Sequence, residues 1–329
     1  MTMLSQSTVS TRVAHTASSN ENVLSEEREI LEFSGLIGQS TALSLLGGAI
    51  ATNRFAPAYL FAGIDGVGKT LAAQIFIAQL FNTNNLTNHP DLLWVEPTYL
   101  HQGELVNQSE LAQSEVKSKS LPQIRIEQIR VVTQFLSCSP LVASCKVVVI
   151  QDAHRIASAA GGALLKTLEE PISGIIVLIS SQPQKLLPTI TSRCQVVPFR
   201  RLNYGELVGV CERLGRTEML NYPIVMSLAA GSPGKAIAYY NQLQSIPQDL
   251  LVQLFKPPTN ALVAMQIAKE IDTVLEARQQ LWLLDYLQHN WWHRYHDVAL
   301  VEKVEEAKTS LNKLAASRLI WEILLLPSV

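Results

Sequence analysis

The chain has 329 residues, 47% of them apolar, with 26 basic and 28 acidic side chains and a formal net charge of −2. That length exceeds a usual single domain and is ample for a large buried core, so two or three domains are expected. The near balance of charge excludes a strongly basic chain that holds nucleic acid by itself, so any such contact must be local or shared with partners.

Residues 1–30 are rich in Ser, Thr and Asn and have no sustained apolar period, which reads as a disordered tail. A transit peptide is the alternative, but a lone Arg12 without an amphipathic arginine pattern argues against it. The folded part is expected to start near Leu31, where "TALSLLGGAI" sets Leu43, Leu46 and Ile50 at helical spacing and "APAYLFAG" reads as a buried strand. "GIDGVGKT", Gly63 to Thr70, then satisfies G-x-x-x-x-G-K-[ST] in full, and "LAAQIFIAQLF" continues as a helix. Strand, glycine loop and helix are what phosphate binding needs. Gly63, Gly66 and Gly68 let backbone N–H groups turn inward, Lys69 reaches the outer phosphates, and Thr70 supplies an oxygen for magnesium.

Further along, "IRIEQIR" places Arg125 and Arg130 at the start of a helix, either as phosphate-backbone contacts or as an ordinary solvated face. "KVVVIQDAHR" reads as a buried strand whose end carries Gln151 and Asp152, where an ATPase usually has a magnesium-binding carboxylate first. "AGGALLKTLEEP" is an amphipathic helix stopped by Pro171, and "GIIVLISS" is another buried strand, ending in hydroxyls. "KLLPTITSRC" then leads into Arg193. Strands alternating with helices in this way predict a parallel α/β sheet. After Arg201 the sequence turns helical, with a compact segment bounded by Pro247 and then several amphipathic helices. Trp282, Trp291, Trp292 and Trp321 lie among aliphatics, so they read as packing or interface residues rather than a base-stacking platform.

Taken in order, "LIGQ", "APAYLFAGIDGVGKT", "HPDLLWVEP", "IRIEQIRVV", "LLKTLEEP" and "TSRC" resemble bacterial clamp-loader ATPases over about Leu36 to Arg201. "HPD" and "AAGSPGKAIAY" are more similar to the delta-prime branch of DNA polymerase III than to its tau/gamma motor branch. The resemblance implies a P-loop NTPase (AAA+) domain with a parallel sheet over 31–201, a helical lid over 202–245 and an all-α collar over 246–329. It also implies a place in a complex with tau/gamma and delta subunits that loads a sliding clamp on primer-template DNA in the cytoplasm.

Carried over residue by residue, the resemblance makes Ser181 the polar sensor near the γ-phosphate and Arg193 an arginine finger given in trans to a neighbour. The second sensor's arginine position falls on Gly234, with Lys235 beside it. Gln151 departs from the motor pattern and Asp152 is one methylene shorter than the water-orienting Glu. ATP with magnesium is therefore expected to bind, with little or no turnover. An active tau/gamma-type ATPase is the alternative, and an independent helicase is disfavoured because the carboxylate spacing after the strand is wrong.

A four-cysteine zinc module common in the family is replaced by "NTNNLTN", so no zinc is expected. Cys138, Cys145, Cys194 and Cys211 show no metal or disulfide spacing and read as free thiols; His89 and His101 read as loop or packing residues. No apolar run approaches the ~20 residues that span a bilayer.

Overall fold

The computed structural model describes residues 33–101, 104–107, 121–170, 174–313 and 316–327. The tail over 1–30 and Pro171 lie outside the described residues. The described residues divide into two compact units: one holds those of 33–64 and 68–200, the other Asp65–Val67 and those of 201–327.

The first unit alternates helices and strands. Its elements are α1 (Ser40–Thr52), β1 (Ala58–Ala62), α2 (Lys69–Phe81), β2 (Leu92–Val95), β3 (Thr98–His101), β4 (Glu104–Asn107), α3 (Ile126–Ser137), β5 (Lys146–Ile150), α4 (Ser158–Glu169), β6 (Gly174–Ser180), α5 (Pro188–Thr191) and β7 (Gln195–Pro198). Five strands form one parallel sheet in the order β2-β5-β6-β1-β7. The all-buried "KVVVI" of β5 explains its inner place, since β-branched residues pack well on a sheet covered on both faces. Leu60, Val148, Ile150, Ile176 and Leu178 of the sheet pack with Ile129, Val132 and Leu136 of α3 and Leu164 of α4. Buried Gln39 fastens the front of α1 to the end of the sheet: its amide donates to the Arg200 carbonyl (2.8 Å) and accepts the Arg200 N–H (3.0 Å). The hairpin of β3 and β4 is antiparallel and stands apart from the main sheet.

In the second unit the helices are α6 (Tyr204–Arg213), α7 (Pro223–Ala229), α8 (Pro233–Gln244), α9 (Gln248–Leu254), α10 (Ala261–Val274), α11 (Ala277–Tyr295), α12 (Val298–Asn312) and α13 (Ser317–Leu325). Short polar residues start several of them: Asn203 accepts from the Glu206 N–H (2.8 Å), Asn260 from Leu262 (2.8 Å) and Asp297 from Ala299 (2.9 Å). Leu207, Cys211, Met219, Met226 and Ala236 make a small core. A larger one runs from Val225 and Leu243 through Leu283, Trp291 and Trp321 to Leu325, so α7 and α8 share packing with the C-terminal helices. Of the four tryptophans in this unit, Trp291 donates to the Leu254 carbonyl (3.1 Å) and Trp321 to the Gln280 side chain (2.9 Å) inside that core. Trp282 is buried as well, whereas Trp292 is half exposed and lines a cleft with Tyr239, Asp285 and His289. No described helix is long and apolar enough to cross a membrane.

Candidate functional site

Gly63–Thr70 runs from the end of β1 into α2. Gly63 cannot carry a side chain, because a Cβ there would meet the Phe199 carbonyl at 2.3 Å. Gly66 and Gly68 have φ of 77° and 99°, the left-handed region open to glycine at little cost. Lys69 is buried at the first position of α2, and its ammonium donates to the carbonyls of Gly63 and Ile64 at 2.6 Å each. The loop tip belongs with the second unit, where the buried Ser232 hydroxyl donates to the Asp65 carbonyl (2.6 Å) and the Gly234 N–H to the Gly66 carbonyl (2.9 Å). Gly234 is as tightly placed as Gly63, since a Cβ on it would sit 2.7 Å from the Gly66 Cα. No arginine fits there while that contact holds. Lys235 directs its backbone N–H to the Ser232 hydroxyl (3.2 Å).

The sheet register sets the neighbours of this loop. Ala62 pairs with Ser180 and Ile150 with Leu178, so Gly63, Gln151 and Ser181 leave the sheet at its strand-end edge. The Gln151 amide oxygen accepts the indole N–H of Trp94 at 3.1 Å, across the β2–β5 pair. Asp152 follows with φ of 48°, a conformation that a short polar residue tolerates, and its carboxylate has no hydrogen bond or ion pair among the described residues. The Ser181 hydroxyl is buried and without a hydrogen-bond partner among them. Among the described residues no three His, Cys, Asp or Glu side chains gather as a metal site. His89 stacks on Phe81 with ring centroids 4.5 Å apart and accepts the Asp91 N–H (3.2 Å), a packing role. The side chain of His101 lies outside what the structure describes.

Arg193 stands at the opposite edge. It precedes β7, whose first residue Gln195 pairs with Tyr59, four residues before Gly63, so roughly 13 Å of strand separates the two levels. Its guanidinium pairs with Glu169 at 2.6 Å and donates to the Thr189 carbonyl at 3.0 Å, while 37% of the side chain remains exposed. The neighbouring Cys194 thiol is pushed up to about 11 by burial, which keeps it neutral.

Arg125 and Arg130 do not form one patch. They are five residues apart, about 140° around a helix. Arg125 is half-buried at the start of α3 with an unpartnered Nε, and Arg130 lines a shallow groove beside Lys166 of α4 and Glu170 just after it.

The family model described as "DNA polymerase III, delta subunit" matches residues 38–203, just over half of the chain, and "Cyanobacterial DNA polymerase III delta prime, C-terminal domain" matches residues 205–328. The chain belongs to the clamp-loader family of DNA polymerase III subunits. DNA polymerase III subunit tau of Bacillus subtilis is 29% identical over 225 residues, covering 67% of this chain and 39% of the relative. The delta' subunit of the same organism is 32% identical over 180 residues, covering 50% of this chain and 48% of the relative. This clamp-loader chain thus spans less than half the length of the curated relatives quoted. In fold it is similar to a DNA polymerase III gamma subunit-related protein from Thermotoga maritima, with a TM-score of 0.53 and 18% identity over 85% of this chain and 97% of that one.

One feature of the clamp-loader sheet is invisible in its motifs. Arg155, Lys185, Gln123 and Gln182 line a pocket of about 360 Å³ at the strand-end edge, with His154 beside them. Neither cation has an ion pair among the described residues, and the adjoining Ala157 starts α4 without a side-chain cap. The walls are tied by backbone bonds between Ile124 and the segment Arg155–Ala157, 3.0 Å each. In sequence these residues come from three separate segments, brought together by the β5–β6 pairing and by the bridge of Ile124 to Ile156.

Proposed function

We propose that the chain is a delta-prime-like, non-motor subunit of the DNA polymerase III clamp loader, a cytoplasmic assembly with tau/gamma and delta subunits that places a sliding clamp on primed DNA. The observation that carries this reading is Gln151. At the strand end where a motor places a magnesium-binding carboxylate stands a neutral amide whose oxygen already accepts from Trp94. The loop still fits phosphate, through its inward-turning backbone, Lys69 and the Thr70 hydroxyl. A bound phosphate that recruits Lys69 must exchange the ammonium's bonds to Gly63 and Ile64. ATP, with magnesium on Thr70, is held and not effectively hydrolysed; the unpartnered Ser181 hydroxyl supports its place as the γ-phosphate sensor.

Arg193 serves a neighbouring subunit, because it lies at the sheet edge away from its own phosphate loop. DNA contact is shared among subunits: Arg130 and Arg125 contribute weakly, and the unpaired Arg155 and Lys185 provide the stronger phosphate-binding pair. An AAA+ domain over 31–201, a lid over 202–245 and a collar over 246–329 make up the subunit. The active tau/gamma-type alternative draws on the intact loop and the unpaired Asp152 carboxylate.

Reconstitution decides between the two readings. The purified chain is expected to gain thermal stability with ATP, to lose that gain in Lys69→Ala, and to hydrolyse ATP at background rate. Arg193→Ala should leave its melting temperature and nucleotide binding nearly unchanged but lower the ATPase of the complex with primed DNA. In-trans arginines of this kind are worth ~10³ to 10⁵ at a single site, and less in a total shared among sites. Arg155→Ala with Lys185→Ala should weaken DNA binding and flatten its salt dependence. Robust DNA-stimulated turnover by the chain alone would establish the motor alternative instead.

A further inference from the structure

Trp282, Asp285, His289 and Trp292 follow one another at steps of three, four and three residues, so they share one face of α11. With Tyr239 of α8 they line a cleft of about 620 Å³ within the helical unit. The aromatic walls are set in place by one another: Trp282 stacks on Tyr286 with ring centroids 5.4 Å apart and meets Tyr239 at 6.1 Å and 48°. No cation of the described residues lies over the rings of Tyr239, Trp282 or Trp292. The charge beside them is negative. Lys308 pairs with Asp285 Oδ1 at 2.7 Å, but its ammonium is shared with Glu305 (3.1 Å) and the Gln288 side chain, so two carboxylates surround one cation. Asp285 Oδ2 has no partner among the described residues. Burial, reinforced by the Asp285 charge, pushes the Tyr239 hydroxyl up, while burial and the neighbouring His293 hold the His289 imidazole below its ordinary range and so neutral at pH 7.

We propose that this cleft binds the guanidinium of an arginine carried on a segment of another protein. The faces of Trp and Tyr rings attract a cation, and the open carboxylate oxygen calls for an N–H donor, which a quaternary ammonium lacks. A flat guanidinium meets both demands, since it stacks on the rings and donates to the carboxylate, and it is more weakly hydrated than an ammonium. The cleft has the size of a small-molecule site, larger than one side chain needs. Its remaining wall, Leu228 of α7 with Val298 and Val301 of α12, is apolar, so the arginine arrives with aliphatic neighbours. None of the residues lining the cleft is Lys or Arg. Free arginine would therefore bring a carboxylate with no counter-charge, as a nucleotide would bring its phosphate, whereas in a peptide both flanks of the arginine are neutral amides. The cleft lies wholly in the helical unit and owes nothing to what the phosphate loop binds.

The test is a calorimetric titration of the full chain with an acetylated, amidated tripeptide of arginine between two leucines. Binding should saturate, and should weaken about tenfold when citrulline, the neutral counterpart of arginine, takes its place. Asp285→Asn keeps an oxygen for Lys308 and should lose a similar factor, Trp292→Leu about fivefold, and Val252→Ala, an exposed apolar control in the same unit, nothing. Melting temperatures of the three variants should stay near wild type, because the Asp285 pair is largely exposed. The citrulline arm needs no variant, so a folding defect cannot imitate its result. Absence of saturation at millimolar peptide, or equal affinity for the citrulline peptide, overturns the proposal. Free arginine binding as tightly as the tripeptide overturns it as well, since the cleft would then serve a small molecule, and so does displacement of the peptide by single-stranded oligothymidylate, which would make the cleft a platform for bases.

Discussion

The Gln151 side chain is committed to one partner at the end of β5. Its amide oxygen closes a hydrogen bond with Trp94 across two neighbouring strands, so each side chain satisfies a partly buried partner. Leucine at 151 would strand the indole N–H, and that loss is expected to cost about 1–3 kcal/mol. Trp94→Phe in the same chain removes the orphaned donor, so the double variant should be more stable than the sum of the two single losses, by about 0.5–3 kcal/mol. Urea unfolding of the four proteins measures the coupling; strict additivity would mean that the bond contributes nothing. The motif alone makes Gln151 an expected departure from the motor pattern. What occupies it could not be seen there, because Trp94 is 57 residues away and meets it only through the pairing of β2 with β5. The glycines are the opposite case, since their backbone angles and close contacts are the reason for the motif itself.

The turn between α3 and β5 depends on one ionised group. Burial pushes the Asp91 carboxyl up, but the N–H groups of Ala143, Leu141 and Val142, together with His89, outweigh it and hold the carboxyl below its ordinary range. A folded-state value that is depressed adds stability above the unfolded value, near 3.9, and that stability disappears as pH falls through the folded value. Wild type should therefore be clearly more stable than Asp91→Asn at pH 7, and the gap should narrow once the pH drops below about 4. A gap that stays constant from pH 7 to pH 3 would show that the charge is not what holds the turn. Several elements are plain in the sequence: β1, β5 and β6 as apolar runs, α2 behind its glycine loop, and α4 by its spacing. The hairpin of β3 and β4 is not, because four-residue strands that pair with each other and through one further bridge, Thr98 to Gln123, carry little periodic signal. The turn held by Asp91 is equally hidden, because the carboxylate and the three N–H groups it accepts lie at least 50 residues apart in the chain.

At the scale of the whole chain, the sheet-bearing unit and the helical unit follow from the change in sequence pattern near Arg201, and the core of each can be anticipated from its apolar spacing. The sharing of one large core by α7, α8 and the C-terminal helices cannot, since helical period shows which face is apolar and not what it meets. Nor does the sequence show that three residues of the phosphate loop pack with the helical unit. In that contact Gly66 and Gly234 each occupy the space the other's side chain would need. Gly66→Ala would force a Cβ to 2.5 Å from the Ser232 hydroxyl at a φ suited to glycine, and Gly234→Arg should destabilise the helical unit by about 1–3 kcal/mol without adding turnover. Thermal melts and single-turnover assays of the two variants check both statements. The pair therefore works as a mutual lock. A side chain cannot enter at 234 in one step while the two backbones stay this close, because the clash is met before any new contact can form. A pairwise mutational scan should find side chains accepted at 234 only in backgrounds where the loop tip has already moved away.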